Sequence, residues 1–321
     1  MMLALILVRW LHLSASILLA GLFLFQSTIL APATKKTSEA TGDLLERFYR
    51  SIFRFAFKTL FLGFVSWFVW SWLVASIMSG DDFAASLQSG DWVTILVETQ
   101  FGHIWLFRAI VYLLIGAILW VSARRSGRQI FLPSILASLS IAELFSLAWA
   151  GHAAASPGHL ALVHLLADGF HLLALAFWPG ALAPLTAFLL MLLKSRQAEA
   201  IALAPPVVRR FSASSLIAVA SLAFTGLLNS IFMIGSFPAL LTSAYGQILI
   251  AKLVLFSAMI GFGAWNLLVL KPRIGSDRPT IPFEEKRALG LLLRNVLCEI
   301  GLGILVVLIV GLLGITPPPL R

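Results

Sequence analysis

Eight stretches of this chain are apolar over about twenty residues or more, and the charge is gathered into the short segments between them. Inside hydrocarbon no water is present to bond backbone N–H and C=O groups, so such stretches cross as helices, which satisfy those groups internally. The runs lie near 3–31, 56–78, 101–123, 130–150, 160–193, 211–235, 246–270 and 293–314. They predict an all-α, polytopic helix bundle that forms one transmembrane domain over 1–321. Composition agrees: 60% of the 321 residues are hydrophobic and 12% charged, about half the charged share of a soluble domain. The first and fifth runs are long enough to tilt, kink or project.

Charge placement gives an orientation. The first, third, fifth and seventh connections carry nineteen of the 23 Lys and Arg residues, whereas 79–100, 151–159 and 236–245 carry none. The positive-inside rule places the basic side in the cytoplasm and both termini outside. The net charge of +9 is thereby a topogenic signal, and it gives no support to nucleic-acid binding. Ala31-Pro32-Ala33 resembles a signal-peptide cleavage site, but no basic region precedes the first run, which is about twice a normal signal core. It is read as a retained span. The single cysteine, Cys298, excludes an intramolecular disulfide or CxxC site, and its apolar setting predicts a buried, inert thiol. The acids Asp81, Asp82, Asp91 and Glu98 give the outer surface an acidic edge. No repeat, low-complexity tract, or ATPase or phosphorylation motif is present, so the expectation is not an enzyme.

Ionisable groups inside spans are costly and mark function by default. Counting at 1.5 Å per residue, His12, Arg108, Glu143, Asp168, His171, Asn229 and Lys252 fall roughly 9–18 Å below the outer surface, on six helices. That alignment suggests a polar cavity opening outwards. Glu299 and Asn266 lie in the inner half instead. A plainer reading pairs Arg108 and Lys252 with Glu143 and Asp168 as structural ion pairs.

The fifth run is the most distinctive. His164, Asp168 and His171 are spaced four and three apart, which puts them on one helical face with Leu175 and Trp178. Histidine with a nearby carboxylate suits a metal ligand whose tautomer is fixed from outside the coordination sphere, or a proton path. The same stripe also suits a hydrogen-bonded seam between helices. His152 and His159 flank the Ser156-Pro157-Gly158 turn in the preceding connection, and Gly151 permits close backbone approach. Met78 and Met233, like Met1 and Met2, fall at outer helix ends, where thioethers with imidazoles suit Cu(I).

Several motifs are familiar in their order and spacing: RWLHL at 9–13, FGHIWLFR at 101–108, GHAAA at 151–155 and DGFHLLALAFWPGALAPL at 168–185. RRFSASSL at 209–216, TGLLNS at 225–230, YGQILIAKL at 245–253 and RNVLCEIGLG at 294–303 follow. Together they resemble the copper resistance D (CopD) family of bacterial inner-membrane copper transport proteins. The resemblance implies copper moved between periplasm and cytoplasm, with a separate small periplasmic copper-binding protein as partner. It matches His12, His152 and His171 to the family's recurrent histidines and Glu299 to its acidic position in the last helix. One departure is Trp178-Pro179-Gly180-Ala181, where the family has an aliphatic residue and two glycines after the tryptophan. Proline there frees the Leu175 carbonyl and predicts a local distortion. Two rival functions stand: a membrane redox protein with haem b ligated by histidines such as His12 and His171, and a metal sensor or assembly partner without transport.

Overall fold

A computed structural model describes residues 1–35, 39–80, 85–124, 132–151, 158, 160–195, 198–275 and 282–319. All its regular structure is helical. Eight helices are long and apolar enough to cross a membrane: α1 Met2–Ala33, α2 Thr41–Ser79, α3 Gln100–Arg124, α4 Leu132–Ala150, α5 Ala161–Lys194, α6 Glu199–Ile234, α7 Ala244–Arg273 and α8 Glu284–Leu313. Each overlaps one expected span. The difference lies at the basic ends, where α2, α6 and α8 begin well before their apolar runs. Lys, Arg and Glu are good helix formers, so a helix can run on past its apolar part through charged residues. Hydropathy registers only the apolar part.

α1 is the keel of the bundle. It packs on α2 and α4 on one flank and on α5 and α8 on the other. Its closest approach is to α5, where small residues let two backbones meet. A Cβ added to Gly21 would fall on the Gly180 backbone, and one added to Gly180 would meet the Ile17 carbonyl. The long helices α1, α5 and α7 each contain a π-helical wide turn, at 25–30, 176–180 and 266–270. The second includes Pro179, so the distortion expected there is present.

Trp67 and Trp105 lock α2 to α3, each indole N–H donating to the other's backbone carbonyl, at 2.9 and 3.1 Å. Cys298 departs from expectation, because its side chain lies on the exposed outer face of α8. An apolar run in a membrane protein can be solvated by lipid as well as by protein, so hydropathy does not imply interior packing.

Candidate functional site

The polar residues expected in the outer half separate into two clusters on opposite flanks of α1. The first centres on Arg108 of α3, which is fully buried, as are His12 and Glu143. Arg108 forms a salt bridge with Glu143 Oε1. It also donates to the Glu143 carbonyl at 2.6 Å, to Ser146 Oγ at 2.8 Å and to His12 Nε2 at 2.5 Å. Glu143 Oε1 accepts from Ser16 Oγ at 3.0 Å, and Ser16 lies 3.2 Å from the Tyr112 hydroxyl. One of the two expected ion pairs is therefore present.

The tautomer of His12 follows from its neighbours. Guanidinium only donates, so Nε2 must accept and Nδ1 carries the proton. That proton is offered to the Gly63 carbonyl at 3.2 Å and Ser66 Oγ at 3.0 Å. Trp105 stacks on the ring at a centroid distance of 6.0 Å, and Trp70 meets it edge-on at 5.4 Å. Both ring nitrogens are engaged, so ligation of a metal by His12 requires Arg108 to withdraw.

The second cluster lies between the antiparallel helices α5 and α6 and has a regular register. His164 stacks on Phe232 at a centroid distance of 4.6 Å. One turn further, Asp168 Oδ1 accepts from Asn229 Nδ2 at 3.2 Å. Another turn on, His171 Nδ1 lies 2.9 Å from Thr225 Oγ1. These are the three rungs of a helix–helix seam, one of the two arrangements the spacing allowed. Lys252 of α7 forms no salt bridge with Asp168 among the described residues. Gly151 approaches Asp168, since a Cβ there would lie 3.5 Å from Oδ2.

The third rung sets the chemistry of His171. Thr225 has one hydroxyl proton and gives it to the Ser221 carbonyl at 2.6 Å. Nδ1 of His171 must then donate to Thr225, which in the neutral ring leaves Nε2 with its lone pair. No hydrogen bond occupies Nε2 among the described residues. Thr225 thus does for His171 what an outer-sphere hydrogen-bond acceptor does for a metal-bound imidazole.

The structure does not bring His12 and His171 together. The two stand nine residues from Gly21 and Gly180, the contact point of their helices. Nine residues are two and a half α-helical turns, so His12 points away from α5 and towards α2 and α3. Met233 packs with Ile234, Tyr245, Leu249 and Leu313, and Met78 projects exposed from the last turn of α2. His152 and His159 lie outside the described residues. Among the described residues, no three His, Cys, Asp or Glu side chains converge as a metal-binding group.

Nearer the basic end of the bundle, Glu299 of α8 accepts from Trp178 Nε1 at 3.0 Å and from Asn266 Nδ2 at 2.7 Å. Asn295 Nδ2 donates to Asn266 Oδ1 at 2.9 Å. Trp178 and Asn266 both sit in wide turns, which aim their side chains at Glu299. Asn295 and Gln26, both buried, were missed by sequence reasoning. A lone amide inside an apolar run is the signal that could have found each.

The profile of the copper resistance protein D-like N-terminal domain matches residues 1–162, and that of copper resistance protein D matches 205–313. Inner membrane protein YebZ of Escherichia coli is 29% identical over 257 residues, 78% of this chain and 82% of the relative. Copper resistance protein D of Pseudomonas syringae pv. tomato is 28% identical over 71% of this chain and 72% of its own length. Copper transport protein CutJ of Bacillus subtilis is 34% identical over 60% of this chain, a region that spans 35% of CutJ. No solved structure matches. With a profile covering half of the chain and relatives named for copper resistance and for the inner membrane, the chain belongs to the copper resistance protein D family of membrane proteins.

Proposed function

We propose that this protein moves copper across the bacterial inner membrane, and that His171 is the ligand at the centre of the outer-half site. The observation that carries the reading is the Thr225 hydroxyl, which fixes His171 in the tautomer with Nε2 free. Asp168, one turn towards the His164 end, supplies a carboxylate whose Oδ2 takes no hydrogen bond from Asn229. Copper enters from the connection carrying His152 and His159, passes His164 and is held between His171 and Asp168. Met78, exposed at the end of α2, offers a thioether of the kind that favours Cu(I), whereas Met233 is packed away among Ile234, Tyr245, Leu249 and Leu313. A separate small periplasmic copper-binding protein delivers the ion. Glu299 serves the inner side, as an exit group or in a proton-coupled step.

His12, Arg108 and Glu143 have a different part. With Nε2 of His12 held by Arg108, this cluster positions α1 against α2, α3 and α4 and leaves the ion to the other flank. The test is copper accumulation in cells expressing His171→Ala or Thr225→Val. His171→Ala is expected to lower transport to the level of cells lacking the protein. Thr225→Val, which frees the ring to rotate, is expected to lower it roughly tenfold, the low end of losses at such outer-sphere positions. Wild-type accumulation in His171→Ala, with normal expression, overturns the assignment. Metal analysis with an optical spectrum of the purified protein separates copper from haem, whose Soret band is diagnostic.

A further inference from the structure

The basic half of the bundle holds a set of polar side chains that the copper site does not use. Gln26 sits in the wide turn 25–30 of α1, fully buried, and neither its amide oxygen nor its amide nitrogen has a hydrogen-bond partner. This wide turn packs on three other helices: α4, α6 and the second half of α5. Each of those helices carries one sealed hydroxyl without a partner, Ser140 on α4, Thr186 on α5 and Ser215 on α6. Above them, Oε2 of Glu143 is buried and unpartnered too.

Contacts between the helices give their relative heights. Glu143 is level with Ser16 of α1, to which it is bonded, and Gly180 is level with Gly21. Ser140 is therefore about one turn below Glu143, towards the basic end. Ser215 falls near the height of Gly180, by the register of the α5–α6 rungs. Gln26 and Thr186 lie five and six residues below the Gly21–Gly180 contact, about 8–9 Å. The unpartnered groups thus descend in steps from the middle of the bundle towards its basic end.

Buried polar atoms are almost always bonded to protein or to ordered water, because the loss of hydration is otherwise uncompensated. A glutamine amide offers both donors and an acceptor, and a hydroxyl offers both as well, which is the chemistry that lines water. Wide π-helical turns recur at functional positions in helices. We propose that the junction of α1, α4, α5 and α6 is a water-lined passage for small cations, running from Ser140 and Ser215 to Gln26 and Thr186. That copper is the cation it releases at the basic end rests on the transport reading above. The presence of water there does not.

The test uses the full-length protein in membrane vesicles, without copper, in a Cys298→Ser background. Single cysteines replace Gln26, Ser140 or Thr186, with two apolar controls on the same helices as Gln26 and Thr186: Leu22, fully buried like Gln26, and Ala183, half-buried like Thr186. A permanently cationic methanethiosulfonate is the probe. Gln26→Cys and Thr186→Cys are expected to react at least tenfold faster than the two controls. Adding Gln26→Leu is expected to slow the reaction of Ser140→Cys to the control rate. Rates equal to the controls overturn the passage and leave the His171 assignment untouched. Pulsed hydroxyl-radical labelling of the wild-type chain gives the same reading with no substitution. Phe25, next to Gln26, should be modified more than the equally buried Phe23, and equal modification overturns the proposal.

Discussion

His12 and His171 show how little a residue type says about chemistry until its neighbours are known. Both carry a proton on Nδ1, deduced from the groups they face. Arg108 takes the lone pair of one, and nothing described takes the other. The depth of each histidine was legible in sequence, since a position within a helix follows from counting. Their separation was not, because it depends on where α1 crosses α5, and only backbone contact at Gly21 and Gly180 reveals that. The Arg108–Glu143 pair carries a prediction at this scale. Removing one member of a buried pair strands the other charge and costs about 3–5 kcal/mol, whereas replacing both by apolar residues is often neutral. Arg108→Met is therefore expected to lower stability in detergent by about 3–5 kcal/mol, and Arg108→Met with Glu143→Leu to restore most of it. A single substitution costing under about 1 kcal/mol in reversible denaturation would show that the pair is not buried as described.

At the scale of elements, apolar length identified every spanning helix, and proline marked one of the three wide turns. The wide turns at 25–30 and 266–270 had no such marker, because they contain no proline and their residues suit an ordinary helix. Their side chains give them meaning afterwards: Asn266 reaches Glu299, and Gln26 reaches the junction of four helices. The crossing of α1 and α5 can be tested through its glycines. A methyl on Gly21 would have to displace the Gly180 backbone, and backbone cannot swing aside as a side chain can. Gly21→Ala is expected to cost about 1–3 kcal/mol as overpacking. Gly301→Ala on α8, which meets nothing within 4 Å, should leave the midpoint of thermal unfolding unchanged or slightly raised. Equal midpoints for the two variants would remove the close crossing from the account.

Across the whole molecule, the two family profiles fall on two structural halves, α1–α4 and α6–α8, and α5 lies largely between the matched ranges. The His12 cluster belongs wholly to the first half. The His171 seam joins α5 to the second, and α1 packs against both flanks. A shift of α1 along α5 would therefore alter the Arg108 cluster and the Glu299 site together, since Ser16 bonds Glu143 five residues from the crossing and Trp178 bonds Glu299 two residues from it. This arrangement fixes which groups share an end of the bundle, and charge decides which end faces the cytoplasm. Basic connections recur at every second turn of the chain, and each such charge resists translocation. Alkaline phosphatase inserted after Gly127 or Gly275 is accordingly expected to be inactive, and the same reporter after Ser156 or Ser236 to be active by at least tenfold more. That pattern would place Asp168 and His171 nearer the periplasm and Gln26 nearer the cytoplasm, so entry and exit take the order proposed. The inverse pattern would reverse the direction of every step from His164 to Gln26 while leaving the contacts between them unchanged.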